Sequence, residues 1–397
     1  MKSLFFLILS VLVLSACSDS EKKPDEMIKN VAITNIIETP NIKDESLQNK
    51  DIYDSFQVFV NIELLDDVFS AEQMNMDIIK KTPGVSYHFH SINEEGHLYF
   101  YRSTDSVFSE EVAYIGFYDI FIKEITIIKE AVDAFTQFSI HFVNEDYILW
   151  AESYDGSDWY KYRLCLYDKN TGEEIIYFEP EIVYTRFMNP PCVFNDNIYF
   201  EYMYSVDNDW IYVDLFEFNI STGTLKVFDT QSKKPTLYQE GVSYLKQSDD
   251  NKLVLINFFN NDSVIRTFMD LPDLNALYFS IYDDVFAFTY PLYEEDSDYE
   301  GMIGSGAAYL TKSGEAVKVL EPIETGFYIN TFDFYGNIGV FNFTEKTYPF
   351  YYNISNNTLY IVKDTEKQHY QVIANNSFIL YIFVNESRYE YIMRNFN

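Results

Sequence analysis

Cysteine, glycine and proline are all scarce in this chain of 397 residues, at 3, 14 and 11 respectively. Three cysteines cannot build a disulfide scaffold. So little glycine and proline excludes collagen-like, fibrous and low-complexity proteins. Positive charge is short as well: 28 Lys and Arg stand against 62 Asp and Glu, for a net charge of −34. A surface this acidic repels a polyanion, so nucleic acid is excluded as a partner. After the first 17 residues, no apolar run approaches the length of about 18 that a membrane-spanning helix needs. Aromatic residues are what the chain has in excess, with 35 Tyr and 35 Phe. A disordered acidic chain would be poor in them, so this one folds.

Residues 1–16 read as a signal peptide. Lys2 supplies the positive start, and residues 4–14 are almost unbroken apolar sequence, too short to span a bilayer as a mature helix. The run ends Leu14-Ser15-Ala16-Cys17, which resembles the bacterial lipobox. The resemblance implies that Cys17 is diacylated and becomes the mature N-terminus. It also implies export and a lipid anchor in the cell membrane or outer membrane. Ser18 follows in place of Asp, so the inner-membrane retention residue described for Gram-negative lipoproteins is missing. Residues 17–50 are then the lipidated Cys and a polar, flexible tether, and residues 51–397 the folded domain. Cys165 and Cys192 lie in apolar strand contexts and are expected as buried free thiols, although export permits a disulfide.

The folded part repeats. Residues 142–178 align without gaps on 193–229, an offset of 51, with Asn144/Asn195, Asp158/Asp209, Trp159/Trp210, Leu164/Leu215, Thr171/Thr222 and Gly172/Gly223 identical. One step earlier, Asn93-Glu94 falls on Asn144-Glu145, and Phe108 on the two Trp positions. Each unit decodes into four antiparallel strands separated by a polar turn, an acidic turn and a Thr-Gly turn. Weaker copies follow, including a last-turn candidate at residues 353–357. About seven such units predict an all-β β-propeller of four-stranded blades. An N-terminal strand, from residues 31–37 or 56–64, is expected to close its ring. A helix is expected over 71–80, with Ser70 and Gln73 as a capping box. The rival architecture, stacked β-sandwiches, does not repeat internally.

The Asp168–Gly172 turn is similar to that of bacterial quinoprotein-like propeller repeats, which include a periplasmic lipoprotein that assists outer-membrane protein assembly. The Trp that ends each such repeat is absent, however. Ser153-Tyr154-Asp155-Gly156 approaches a sialidase Asp-box but is one residue short.

Turns between second and third strands gather on one rim of a propeller. Here they carry Asp155 and Asp158, then Asp207 and Asp209, with Trp159 and Trp210 opening the next strands. Three readings compete: solvated hairpin tips, recognition of a glycan or basic protein by aromatics and carboxylates, and calcium. A true calcium-loop motif is missing. The His88-x-His90 pair has no visible third ligand and is expected to pack in a strand. No catalytic or cofactor motif appears. The function expected is a membrane-anchored binding protein; the alternatives are a carbohydrate-active hydrolase or lyase and an envelope assembly scaffold.

Overall fold

The computed structural model describes residues 36–37, 56–65, 74–80, 82–104, 111–153, 162–180, 189–206, 210–238, 241–247, 253–259, 262–268, 279–282, 285–293, 302–310, 316–323, 327–335, 337–343, 350–362, 369–375, 377–385 and 388–395. Every regular element among them is a β-strand.

Four strands precede the repeats: β1 (Ile36–Ile37), β2 (Phe56–Val58), β3 (Asn61–Leu65) and β4 (Met74–Lys80). The first meander is β5 (Val85–Ile92), β6 (His97–Thr104), β7 (Tyr114–Asp119) and β8 (Glu124–Glu130). The second is β9 (Gln137–Val143), β10 (Tyr147–Ser153), β11 (Tyr162–Asp168) and β12 (Glu174–Phe178). The third is β13 (Cys192–Phe194), β14 (Asn197–Val206), β15 (Trp210–Asn219) and β16 (Thr224–Asp229). The fourth is β17 (Ser232–Tyr238), β18 (Gly241–Gln247), β19 (Leu253–Phe259) and β20 (Asp262–Phe268). Then come β21 (Phe279–Tyr282), β22 (Val285–Tyr293), β23 (Met302–Leu310) and β24 (Ala316–Pro322). These lead to β25 (Phe327–Tyr335), β26 (Ile338–Phe343), β27 (Phe350–Asn353) and β28 (Thr358–Val362). The last are β29 (His369–Ala374), β30 (Phe378–Asn385) and β31 (Arg388–Asn395).

Five sheets are separate and four-stranded, and β21–β28 form two further four-strand runs within an eleven-stranded sheet. Parallel pairing of β23 with β25 at Gly304/Phe327 and Ser305/Tyr328 joins those two runs. Each run is an antiparallel meander with the strand order of a propeller blade.

The last sheet takes its fourth strand from the other end of the chain. β4 pairs antiparallel with β31, through Lys80/Arg388, Asn75/Glu390 and Met74/Tyr391. The helix expected over 71–80 is therefore a strand where the structure describes it. Met and Ile carry no decisive periodicity in so short a stretch, and pairing to an open sheet edge overrides local propensity. The strands expected to close the ring sit elsewhere. β2 pairs with β24, β3 runs parallel to β28, and Ile36 and Ile37, inside the expected tether, pair with Ala316 and Val317.

Aromatic side chains fill the spaces between sheets. Tyr87, Phe89, Phe100 and Tyr118 of the first sheet pack on Tyr389, Tyr391, Leu380 and Ile382 of the last, and Ile79 of β4 is buried there. Gln371 Nε2 donates to Phe89 O at 2.8 Å, Asn375 Nδ2 to Asn93 O at 2.9 Å and Tyr391 OH to Ile120 O at 3.0 Å. First and last sheets are thus docked directly. Similar cores join the first sheet to the second, the second to the third and the third to the fourth. Others join the two runs of the large sheet, and the latter of these to the last sheet. Tyrosine suits such cores because its ring buries apolar area while the hydroxyl finds a partner. Tyr352 OH, for example, donates to Asn357 Oδ1 at 2.6 Å and also meets Tyr309 OH.

The turns follow the repeat. Asp168 Oδ1 accepts from the N–H groups of Asn170 and Thr171, and Asn219 Oδ1 accepts from Thr222 N–H and its hydroxyl. Four residues after each cap, Gly172 (φ +74°) and Gly223 (φ +64°) take the left-handed conformation. The same place is held by Lys123 after Asp119 and by Asn357 after Asn353. A side chain costs about 1–2 kcal/mol in that conformation. Two of these four turns bear that cost, at Lys123 and Asn357, and do without a glycine there. The Asp119–Lys123 copy escapes sequence reading because Phe121 and Ile122 make the turn look apolar.

Candidate functional site

The rim expected to bind lies almost wholly outside the described residues. Cys17, Asp155, Asp158, Trp159, Asp207 and Asp209 are all beyond them, and of Trp210 only the backbone, opening β15, is described. The described residues instead bring together polar groups that sequence reading missed. Among these groups are three carboxylates, Glu152, Glu201 and Asp214, which are buried within strands.

Glu201, on β14, is 1% exposed. Its Oε1 accepts from Asn189 N–H at 2.8 Å and Asn189 Nδ2 at 2.7 Å, and its Oε2 from Lys234 N–H at 3.0 Å. One carboxylate therefore ties the entry to the third sheet, that sheet's second strand and the first strand of the fourth. Asp214, on β15, works beside it: Oδ2 accepts from Tyr204 OH at 2.7 Å and Oδ1 from Gln231 N–H at 2.9 Å. Gln231 (φ +52°) and Lys234 (φ +57°) are both left-handed without being glycine. Such backbone persists only where surrounding bonds over-determine it, and the two carboxylates supply those bonds.

The Lys234 side chain is buried in this polar cluster. Its pKa is lowered to about 7, by burial first and by the neighbouring Lys233 second, with Glu201 opposing both. A buried lysine poised near neutrality in strained backbone marks a site of electrostatic consequence. No sequence signal announced it, since Lys233-Lys234-Pro235 reads as an exposed polar stretch.

Two histidines form a second feature. His90 of β5 and His141 of β9 are 51 residues apart and occupy the same place in their meanders, each skipped at a register shift in a first strand. A bulge re-aims a side chain out of strict alternation. His88 and His90 consequently find separate partners and do not converge as ligands. His88 Nε2 meets Ser103 Oγ at 3.0 Å and its ring stacks on Tyr101, whereas His90 Nδ1 meets Ser91 Oγ at 3.0 Å. Packing of the pair in the first strand agrees with expectation.

Burial lowers the pKa of His90 to about 4, partly offset by a hydrogen bond to the backbone of His141. It lowers that of His141 to about 4 as well, with His90 adding repulsion. Both rings are neutral at pH 7. Because the folded values lie below those of the unfolded chain, near 6.5, their contribution to stability is full above pH 6.5 and declines as pH falls towards 4. Denaturant midpoints measured from pH 7 to 4 should fall less steeply for a His90→Gln, His141→Gln double variant than for the wild type. An identical slope would contradict the assignment.

Cys165 and Cys192 are both buried and free, as expected. Burial pushes the Cys165 thiol up to about 12 and raises that of Cys192 as well. No helix among the described residues is long and apolar enough to cross a membrane.

No family model matches the chain, and no curated protein does. Among solved structures, an acylaminoacyl peptidase superposes with a TM-score of 0.52 at 7% identity, over 78% of this chain and 52% of that one. An uncharacterised protein from Listeria monocytogenes gives 0.46 at 11% identity, over 78% and 99%. The β-propeller domain of the trilobed protease from Pyrococcus furiosus gives 0.44 at 14% identity, over 77% and 80%. At these identities the likeness is one of fold alone: an all-β chain of four-stranded, propeller-like sheets.

Proposed function

We propose that this chain is an exported lipoprotein, held to a bacterial envelope membrane by lipid on Cys17, whose β-propeller is a binding module. The observation that carries the reading is Leu14-Ser15-Ala16-Cys17 at the end of a short apolar run. Two or three acyl chains, each buried methylene contributing about 0.8 kcal/mol, anchor such a protein firmly. The five separate sheets and the two runs of the large sheet make seven blades, and β4 closes the ring by completing the last. Docking of first and last sheets supports that closure.

Binding, in this reading, belongs to the rim of second-to-third-strand turns, where Trp159 and Trp210 alternate with Asp155, Asp158, Asp207 and Asp209. Exposed indoles stack on sugar faces or anchor a protein partner, and carboxylates accept hydroxyls or select basic surfaces. The test is capture from envelope extract and a glycan panel by the lipid-free protein, compared with its Trp159→Ala, Trp210→Ala variant. Hot-spot aromatics are worth at least about 2 kcal/mol, so the variant should bind roughly 30-fold more weakly. Equal capture by both proteins would remove the rim from the account.

A further inference from the structure

Glu152 of β10, Cys165 of β11 and Glu174 of β12 lie side by side on three adjacent strands of the second sheet. Each offers one ligand atom, and these atoms all lie within 4.8 Å of one another. Cys165 Sγ is 3.9 Å from Glu152 Oε2, and Arg163 holds the other carboxylate oxygen, Oε1, at 2.6 Å. Glu152 is 1% exposed and Cys165 0%, whereas the Glu174 side chain is 31% exposed and opens the cluster to solvent. Lys129, reaching over from β8 of the first sheet, holds Glu174 at 2.7 Å.

One atom here lacks a strong partner. A buried carboxylate oxygen ordinarily accepts from a good donor, because an under-satisfied one costs about 1–3 kcal/mol. Among the described residues, Glu152 Oε2 has only a thiol, a weak donor, at a long distance, and that thiol is itself a member of the cluster. The arrangement lacks a positive centre between sulfur and oxygen.

We propose that Glu152 Oε2, Cys165 Sγ and a Glu174 oxygen form a binding site for a borderline-soft divalent cation of the zinc class. Thiolate excludes calcium and magnesium, which take oxygen ligands, and selects Zn²⁺ or its Co²⁺ surrogate. A separation of 3.9 Å between sulfur and oxygen lies close to what a tetrahedral ion with bonds of about 2.3 Å to sulfur and 2.0 Å to oxygen requires. A water on the Glu174 side completes the set. Arg163 stays on Oε1 and orients the ligating carboxylate from behind.

Binding is a proton-balanced exchange. Cys165 gives its S–H proton to solvent as the metal–sulfur bond forms, and the Lys129 ammonium leaves Glu174 for water.

The experiment is Co²⁺ titration of the full chain carrying Cys17→Ser, followed by near-ultraviolet absorption and proton release. The wild-type site should develop a thiolate-to-cobalt charge-transfer band and release a proton, and Zn²⁺ should bleach the band. Cys165→Ser should abolish it, Cys192→Ser should leave it intact, and Glu174→Gln should weaken binding at least about tenfold. Lys129→Ala removes the competing ammonium and should tighten binding, a gain that a misfolded variant cannot imitate. Absence of the band, its persistence in Cys165→Ser, or weaker binding by Lys129→Ala would overturn the site.

Discussion

Replacing Ile79 by Asp is expected to unfold the last sheet and, with it, the packing between the two ends of the chain. Ile79 is fully buried in the core shared by the first and last sheets, on the strand that completes the latter. A carboxylate placed among those apolar side chains is stripped of its hydration. The lost apolar burial and the desolvated charge together cost at least about 4 kcal/mol, a large part of the 5–15 kcal/mol typical of whole domains. A thermal melt should shift down by on the order of 10 °C, or the variant should fail to fold. Ile79→Val, which keeps shape and polarity, should cost about 1 kcal/mol. Equal stability of Asp and wild type would mean that β4 does not complete the sheet.

Removing the Glu201 carboxylate should be nearly as damaging. Glu201→Ala leaves two N–H donors of Asn189 and that of Lys234 without their acceptor, at a site closed to water. It also withdraws the negative charge that sustains the Lys234 ammonium against burial and Lys233. Breaking a buried, bonded charge cluster in this way costs about 3–5 kcal/mol. Lys234, whose pKa already lies near 7, should titrate lower still in the variant. Denaturant unfolding measures the first effect and NMR titration of the Lys234 side chain the second. A loss below about 1 kcal/mol would show that the left-handed backbone at Gln231 and Lys234 does not depend on Glu201.

These two residues also mark how far the sequence could be read. Where structure is local, it was legible. The caps at Asn144, Asp168 and Asn219, the glycines four residues after the last two caps, and the 51-residue step all appear in the fold. The buried thiols were legible for the same reason, because Leu164-Cys165-Leu166 is an apolar strand on any reading. Ile79 was not, because its partner strand lies some 310 residues away and nothing nearby distinguishes strand from helix. Glu201 and Lys234 were not legible either. Charge is ordinarily a sign of exposure, and only the crossing between two sheets brings this pair together. The His90 and His141 bulges sit on the repeat, but a bulge leaves no mark in composition.

The aromatic excess and the acidic excess are explained by different parts of one design. Tyr and Phe stand between sheets, where propellers need large, flat fillers, and burial drives phenols such as Tyr99 up to about 12. Asp119, Asp168 and Asp133 cap turns, while Glu201 and Asp214 fasten one sheet to the next.

The proposed function depends above all on Cys17. Metabolic labelling with a radioactive fatty acid, followed by recovery of the protein from the membrane fraction, tests it directly. The account predicts that the wild-type protein is labelled and sediments with membranes, and that Cys17→Ala abolishes the label and releases the protein to the soluble fraction. A wild-type protein without label, or a Cys17→Ala variant that keeps it, would contradict the lipid anchor.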